Sequence, residues 1–145
     1  MIFSKLNGLG NDFVITDDRE NKYTENLDEM ARKLCHRRTG IGADGLVRKS
    51  ETCNVRMQIF NSDGSEAEMC GNGVRCFAKY VYDKGIFKHE RMSVETLAGP
   101  MIIDLTVKDG VAVAAKVDMG VPETRREFIP VVGTGECQLE KLAAV

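Results

Sequence analysis

Polar and apolar residues alternate from position 55 to 59, where Val55, Met57 and Ile59 are separated by Arg56 and Gln58. A period of two marks a half-buried strand, and Asn61-Ser62-Asp63-Gly64 supplies the turn that closes it. Upstream the period changes. Leu27, Met30, Ala31, Leu34 and Cys35 follow i, i+3, i+4, i+7, i+8, one apolar stripe on a helix. Asn26 is placed to cap that helix, with Asp28 and Glu29 in its first turn. Arg37 and Arg38 suit its negative end, and Gly40 stops it. Residues 1–6 and 13–16 read as strands on either side of a turn over 7–12. A second helix is expected from about 71 to 84, with Gly85 as its stop. Its interior, Val74-Arg75-Cys76-Phe77-Ala78-Lys79-Tyr80-Val81-Tyr82, is apolar round most of its circumference, as in a helix enclosed on several sides. Residues 93–97, 101–107 and 111–117 are β-like, and Asp109-Gly110 is a strong hairpin turn between the last two. Residues 46–48 are also β-like. Met119-Gly120-Val121-Pro122 then breaks the pattern, and a charged, weakly periodic tail follows. The expected fold class is α+β, a curved, mostly antiparallel sheet wrapped around one central helix.

Composition narrows the function classes. The 145 residues fit one domain or one lobe, and 43% hydrophobic with 29% charged residues indicate a folded, soluble core. A net charge of −2 argues against a nucleic-acid surface. No apolar run approaches the ~18 residues needed to span a bilayer. The N-terminus shows no apolar signal region or cleavage site, which argues against secretion. Five cysteines, at 35, 53, 70, 76 and 137, include no Cys-x-x-Cys pair, so neither a disulfide framework nor a structural zinc site is expected. A reducing cytoplasm is the expected compartment.

The chemistry concentrates in Met69-Cys70-Gly71-Asn72-Gly73-Val74-Arg75-Cys76. Cys70 stands where a loop turns into the enclosed helix. The first N–H groups of a helix lack intrahelical acceptors, and the macrodipole adds positive potential there. Gly71 and Gly73 leave that backbone open to a ligand. Such a place suits a carboxylate and favours the thiolate of a neighbouring thiol. Both are needed to remove a proton from an amino-acid α-carbon. Cys70 taken alone reads more readily as a small buried residue. Cys76 and Cys35 lie on apolar helical faces and read as core, and Cys53 and Cys137 stand in uninformative contexts.

Gly40-Ile41-Gly42-Ala43-Asp44-Gly45 matches G-x-G-x-x-G, but a helix precedes it and a β-like segment follows. The dinucleotide fingerprint needs the reverse order, so a Rossmann site is rejected. Gly8-Leu9-Gly10-Asn11-Asp12 lacks the Lys-Ser/Thr of a phosphate loop. Asn11 and Asn61 occupy turns, where asparagine usually serves its own backbone. His36 and His89 lack metal-ligand spacing, and no metal site is expected.

Taken together and in order, several segments resemble diaminopimelate epimerases over nearly the whole chain. They are Phe3-Ser4-Lys5 through Gly8-Leu9-Gly10-Asn11-Asp12-Phe13, Arg38-Thr39-Gly40-Ile41-Gly42-Ala43-Asp44-Gly45, Ile59 to Ser65, Glu68 to Cys76, and Val117-Asp118-Met119-Gly120. Their agreement turns Cys70 from core filler into a catalytic candidate. The resemblance implies two pseudo-symmetric lobes, each a curved sheet round a helix, with substrate between them. It implies interconversion of LL- and meso-diaminopimelate, for lysine and peptidoglycan precursors, without pyridoxal phosphate, metal or other cofactor. One cysteine from each lobe would serve, one as thiolate base and the other as thiol acid on the opposite face. By position Cys70 matches the first-lobe cysteine. Gly71 and Asn72 match the backbone pocket for the reacting end of the substrate, and Asn11 and Asn61 match side chains that orient it. Some members carry Gln where this chain has Gly45.

The resemblance also divides the chain into a first lobe over residues 1–118 and, over 119–145, a crossover with the start of a truncated second lobe. The partner cysteine of the family lies in a second Cys-Gly-Ser/Thr-Gly helix start, and Gly135-Glu136-Cys137-Gln138 is not that motif. The catalytic pair is therefore incomplete here. A small-molecule substrate is the expected partner, with no nucleic acid or membrane. A homodimer is a further expectation, with two copies of Cys70 facing one cleft as its boldest form. Two alternatives stand beside this: a related racemase or epimerase of another amino acid, such as histidine or a proline derivative, and an isolated lobe that binds without turnover.

Overall fold

The computed structural model describes residues 1–23, 25–36, 38–41, 46–48 and 52–138. Arg37, most of the G-x-G-x-x-G segment, Gly45 and the last residues of the tail lie outside the described residues.

Among the described residues, eight strands and two helices follow one another in the order β1 (Ser4–Gly8), β2 (Asn11–Asp17), α1 (Leu27–Cys35), β3 (Leu46–Arg48), β4 (Val55–Phe60), β5 (Glu66–Ala67), α2 (Gly71–Asp83), β6 (Arg91–Thr96), β7 (Gly99–Lys108) and β8 (Val111–Val117). A 3-10 turn, Arg126–Phe128, follows. The strands form one sheet in the order β1-β2-β3-β4-β6-β7-β8, with β5 beside β4. Pairing is antiparallel except at β2–β3 and β4–β6. Those two joins are the places where the chain passes through a helix, α1 in one case and α2 in the other, and a parallel pair needs a crossover of that length. The α+β class and the mostly antiparallel sheet agree with expectation. The parallel joins and the short β5 carried no signal in the hydrophobic pattern.

The sheet curls. Its two end strands, β1 and β8, both pack against α2, as do β2, β4 and β7. Val74, Ala78 and Val81 on the helix have no exposed surface, and Phe77 has almost none. Phe13, Ile15, Val55, Met57, Ile59, Met92, Val94 and Ile103 close round them from the strands. Each such side chain contributes roughly 1.5–3 kcal/mol on burial, so α2 is held by tertiary packing more than by helix propensity. Cys76 and Cys35 are buried, as their apolar stripes indicated.

Turns are tighter than the polar segments suggested. The six-residue turn expected over 7–12 is a two-residue connection, Leu9-Gly10, with both residues at positive φ (54° and 92°). Asp109-Gly110 closes the β7–β8 hairpin in the same way, at 50° and 78°. Such turns match the twist of the strands they join. α1 begins after Asn26, but Asn26 takes a left-handed conformation and its side chain makes no capping bond. The helix ends at Cys35, earlier than Gly40. The chain folds back on the helix end there: the Ile41 N–H donates to the Leu34 carbonyl and the Gly40 N–H to the His36 carbonyl, both at 2.7 Å, and a methyl group on Gly40 would overlap the Lys33 carbonyl. α2 runs as expected, to Gly85 at φ 68°. Among the described residues no helix is long and apolar enough to cross a membrane.

Candidate active site at the start of the central helix

Cys70 is the N-cap of α2. Its backbone is extended (φ −140°, ψ 113°), and its carbonyl accepts the first helical bond from Val74 at 2.8 Å. The side chain caps as well, because Sγ accepts from the Gly73 N–H at 3.4 Å. An N-cap is normally filled by Ser, Thr, Asp or Asn, whose oxygen takes such an orphan donor. Here a thiol takes that place, and a hydrogen bond of this kind strengthens when its acceptor is charged. Cys70 is half-buried, with one side against the core.

The two glycines beside it do different work. A methyl group on Gly71 would touch only the Met119 side chain, at 3.7–3.8 Å, so this part of the backbone is open. A methyl group on Gly73 would press on Ile59, Cys70 and Phe13 at 3.1–3.2 Å. Gly73 is thus a packing residue whose N–H holds the cysteine, and of the two glycines only Gly71 has open space beside its backbone. Asn72, between them, has its side-chain Oδ1 engaged by the Arg75 guanidinium one turn on.

Other elements are fastened to this helix end. The β1–β2 hairpin leans on it through Gly8, where a methyl group would fall 2.8 Å from Cys76 Sγ and 3.2 Å from the Asn72 carbonyl oxygen. Asn11, paired with Gly8 across the hairpin, is exposed, and none of the described residues bonds its side-chain amide. β4 reaches α2 through Ile59, and Asn61 follows it. Asn61 does local work: its Nδ2 donates to Ser65 Oγ at 2.9 Å, and its backbone brackets the turn with Ser65 and Gly64. Its Oδ1 makes no hydrogen bond with the described residues. The chain leaving β8 passes Met119 over Gly71. Neither Gly8 nor Met119 stood out as a functional position in the sequence. Gly8 could be suspected only from its strand context, where a glycine marks close backbone approach.

Cys76, six residues after Cys70, is not equivalent to it. Burial pushes its thiol above the usual range, and the neighbouring Cys70 adds to this against the opposing charge of Arg75. It stays a neutral core thiol. Among the described residues no group of three His, Cys, Asp or Glu is arranged to hold a metal.

A sheet curled round one helix, with a cysteine at the helix start, defines the class of fold. The same fold occurs in a probable proline racemase from Agrobacterium radiobacter K84, with TM-score 0.64 and 16% identity over 79% of this chain and 40% of that one. A hydroxyproline epimerase from Agrobacterium vitis gives TM-score 0.62 and 13% identity, with the same coverages. Sequence goes further. Residues 3–124 match the diaminopimelate epimerase family model, and the chain belongs to that family of isomerases. It is 51% identical to the diaminopimelate epimerase of Moorella thermoacetica over 143 residues, which are 97% of this chain and 51% of that protein. With the Clostridium perfringens enzyme of the same name it shares 47% over 147 residues, covering 100% of this chain and 54% of that protein. The chain spans about half the length of these curated relatives.

Proposed function

We propose that this chain is the first lobe, residues 1–118 with a crossover beyond, of a cofactor-independent epimerase that interconverts LL- and meso-diaminopimelate. The observation that carries this is Cys70 as the N-cap of α2, its sulfur on the Gly73 N–H and the open Gly71 backbone beside it. A substrate carboxylate at the free N–H groups of the helix start would bring the adjacent α-carbon to the sulfur. One thiolate takes the α-proton, the electron pair passes into the carboxylate, and a second thiol returns a proton to the opposite face, which inverts the centre. Backbone donors at the helix start stabilise the charge that builds on the carboxylate. The second thiol belongs to the other lobe, so the 145-residue chain by itself has negligible turnover. Asn11, with its unengaged amide, and the Oδ1 of Asn61 would orient the substrate. The product would enter lysine and peptidoglycan precursor synthesis in the cytoplasm.

The identity of 47–51% to diaminopimelate epimerases favours this substrate over the cyclic amino acids named for the 13–16% fold neighbours. The test is solvent deuterium incorporation at the α-carbon by the full-length product of the gene. Exchange and epimerisation are expected in wild type, and epimerisation is absent in Cys70→Ala, whose remaining thiol can exchange a proton only on its own face. Retained epimerisation in that variant overturns the assignment.

A further inference from the structure

We infer that Ser65 and Asp63 are positioning residues for Asn61: together they turn its amide so that the carbonyl oxygen, and not the amino group, is what it offers the substrate. The role rests on the reading of Asn61 as a substrate-orienting side chain, and deepens it.

The hydrogen bonds of the β4–β5 turn can run in one direction only. A carboxylate accepts and never donates, and the Ser65 hydroxyl, with the Ser65 N–H behind it, holds the Asp63 carboxyl below its ordinary value of 3.8. Ser65 Oγ lies 2.6 Å from Asp63 Oδ1, so the single hydroxyl hydrogen is spent there. What Ser65 turns toward Asn61 at 2.9 Å is therefore a lone pair, which calls for an N–H. Rotating the amide by 180° would set its carbonyl oxygen against that lone pair. Nδ2 is thus fixed toward Ser65, and Oδ1 is the atom left without a bond among the described residues. The frame around this chain of bonds is rigid. The Asn61 N–H donates to the Ser65 carbonyl at 2.8 Å, the Gly64 N–H to the Asn61 carbonyl at 2.9 Å, and the Ser65 N–H to Asp63 Oδ1 at 2.8 Å. Helix α1 clamps the turn from outside: Arg32 Nε donates to the Asp63 carbonyl at 2.7 Å while its Nη1 pairs with Asp28. Gly64, at φ 84°, lets the turn sit against that helix, since a methyl group on it would fall 2.7 Å from the Asp28 carbonyl oxygen. A fixed acceptor takes a donor. In a diamino dicarboxylate the donors are the ammonium groups, because ionised carboxylates have none.

Two measurements test the role. In the 145-residue chain labelled with nitrogen-15, NMR follows solvent exchange of the Asn61 side-chain amide hydrogens. The bonded hydrogen should exchange about fivefold or more slower in wild type than in Ser65→Ala, the scale of one net hydrogen bond, and Ser65→Thr should restore the protection. In the full-length product of the gene, kcat and KM are measured with LL-diaminopimelate. Asn61→Ala should raise KM by about 10–100-fold, the worth of a hydrogen bond to a charged group, with kcat little changed. Ser65→Ala should raise it about tenfold, Ser65→Thr should recover most of this, and Asp63→Asn, whose amide can also donate, should fall between. Added to Asn61→Ala, Ser65→Ala should cost nothing further, which a merely structural role would not produce. Ser65→Ala keeps every backbone bond of the turn; should it not fold, Asp63→Asn carries both comparisons. Unchanged exchange in Ser65→Ala, or an equal loss from it with and without Asn61, overturns the positioning role and leaves the epimerase reading standing. A wild-type KM in Asn61→Ala removes Asn61 from the site, and the positioning role with it. A full-length wild type that does not epimerise diaminopimelate fails the functional reading, and the exchange measurement then decides the amide orientation by itself.

Discussion

The two ends of α2 are built on opposite plans. At the C-terminal end, Asp83 accepts from the Ala112 N–H at 2.9 Å and from Lys79 at 2.7 Å, and Lys79 donates in turn to the Ala112 carbonyl at 2.6 Å. Lys88 donates to the Tyr82 carbonyl, and Gly85 turns the chain away. Helix, β8 and the following loop are tied together there, and the Tyr82 carbonyl is met by a cation, as the macrodipole favours. At the N-terminal end only Gly73 and Val74 spend their N–H groups on Cys70, and the backbone at Gly71 stands open. One end is closed by polar contacts to the sheet, and the other is left with donors to spare. A helix held firmly at one end and in its middle can present unsatisfied donors at the other without fraying. Preorganised donors of this kind are what a site for developing negative charge requires.

The largest effect should come from Cys70. Cys70→Ala in the full-length protein is expected to lower turnover by at least ~10³-fold, within the range of lost acid–base catalysis, with a stability loss of about 1 kcal/mol from the missing helix cap. Cys76→Ala should do the reverse, keeping turnover within a few-fold while losing about 1 kcal/mol or more of stability from its buried site. Steady-state kinetics and melting curves on both variants decide it, and near-normal turnover in Cys70→Ala would contradict the role given to the N-terminal end.

The glycines sharpen the same contrast within three residues. Gly71→Ala should fold normally, because its methyl group meets only a flexible methionine at ordinary contact distance. It should still reduce kcat/KM by about 10–100-fold through displacement of the substrate carboxylate. Gly73→Ala should instead destabilise by about 1–3 kcal/mol through overpacking. Denaturant titration and kcat/KM together separate the two, and equal behaviour would show that both glycines serve packing or both serve access.

The smallest effect lies at the closed end. Burial acts to raise the Asp83 carboxyl, but the Ala112 N–H and Lys79 outweigh it and hold the group below its ordinary value of 3.8. A carboxyl lowered on folding stabilises the folded state above its unfolded pKa, and that contribution fades as pH falls through the lower, folded value. Asp83→Asn should cost about 1 kcal/mol near neutrality and should flatten the decline of melting temperature between pH 5 and 3. Parallel pH profiles of the two proteins would show that the clamp is unimportant.

Much of this was legible along the chain. The long apolar run and the Gly85 stop define α2, the Asp109-Gly110 pair defines the β7–β8 turn, and alternation defines β4, because each signal is local to a few residues. The neighbourhood of Cys70 with Gly71 and Asn72 is local too, since all three belong to one helix start. What the local pattern could not decide is which residue of each pair faces inward. Gly71 and Gly73 are indistinguishable as letters, and only the packing of Ile59 and Phe13 makes one a core contact and leaves the other open. Gly8 meets Cys76 sixty-eight positions away only because the sheet curls. The parallel joins and the leaning of the β1–β2 hairpin on α2 depend on how distant segments enclose the helix. Periodicity records which face of an element is apolar, and tertiary structure alone decides what that face meets.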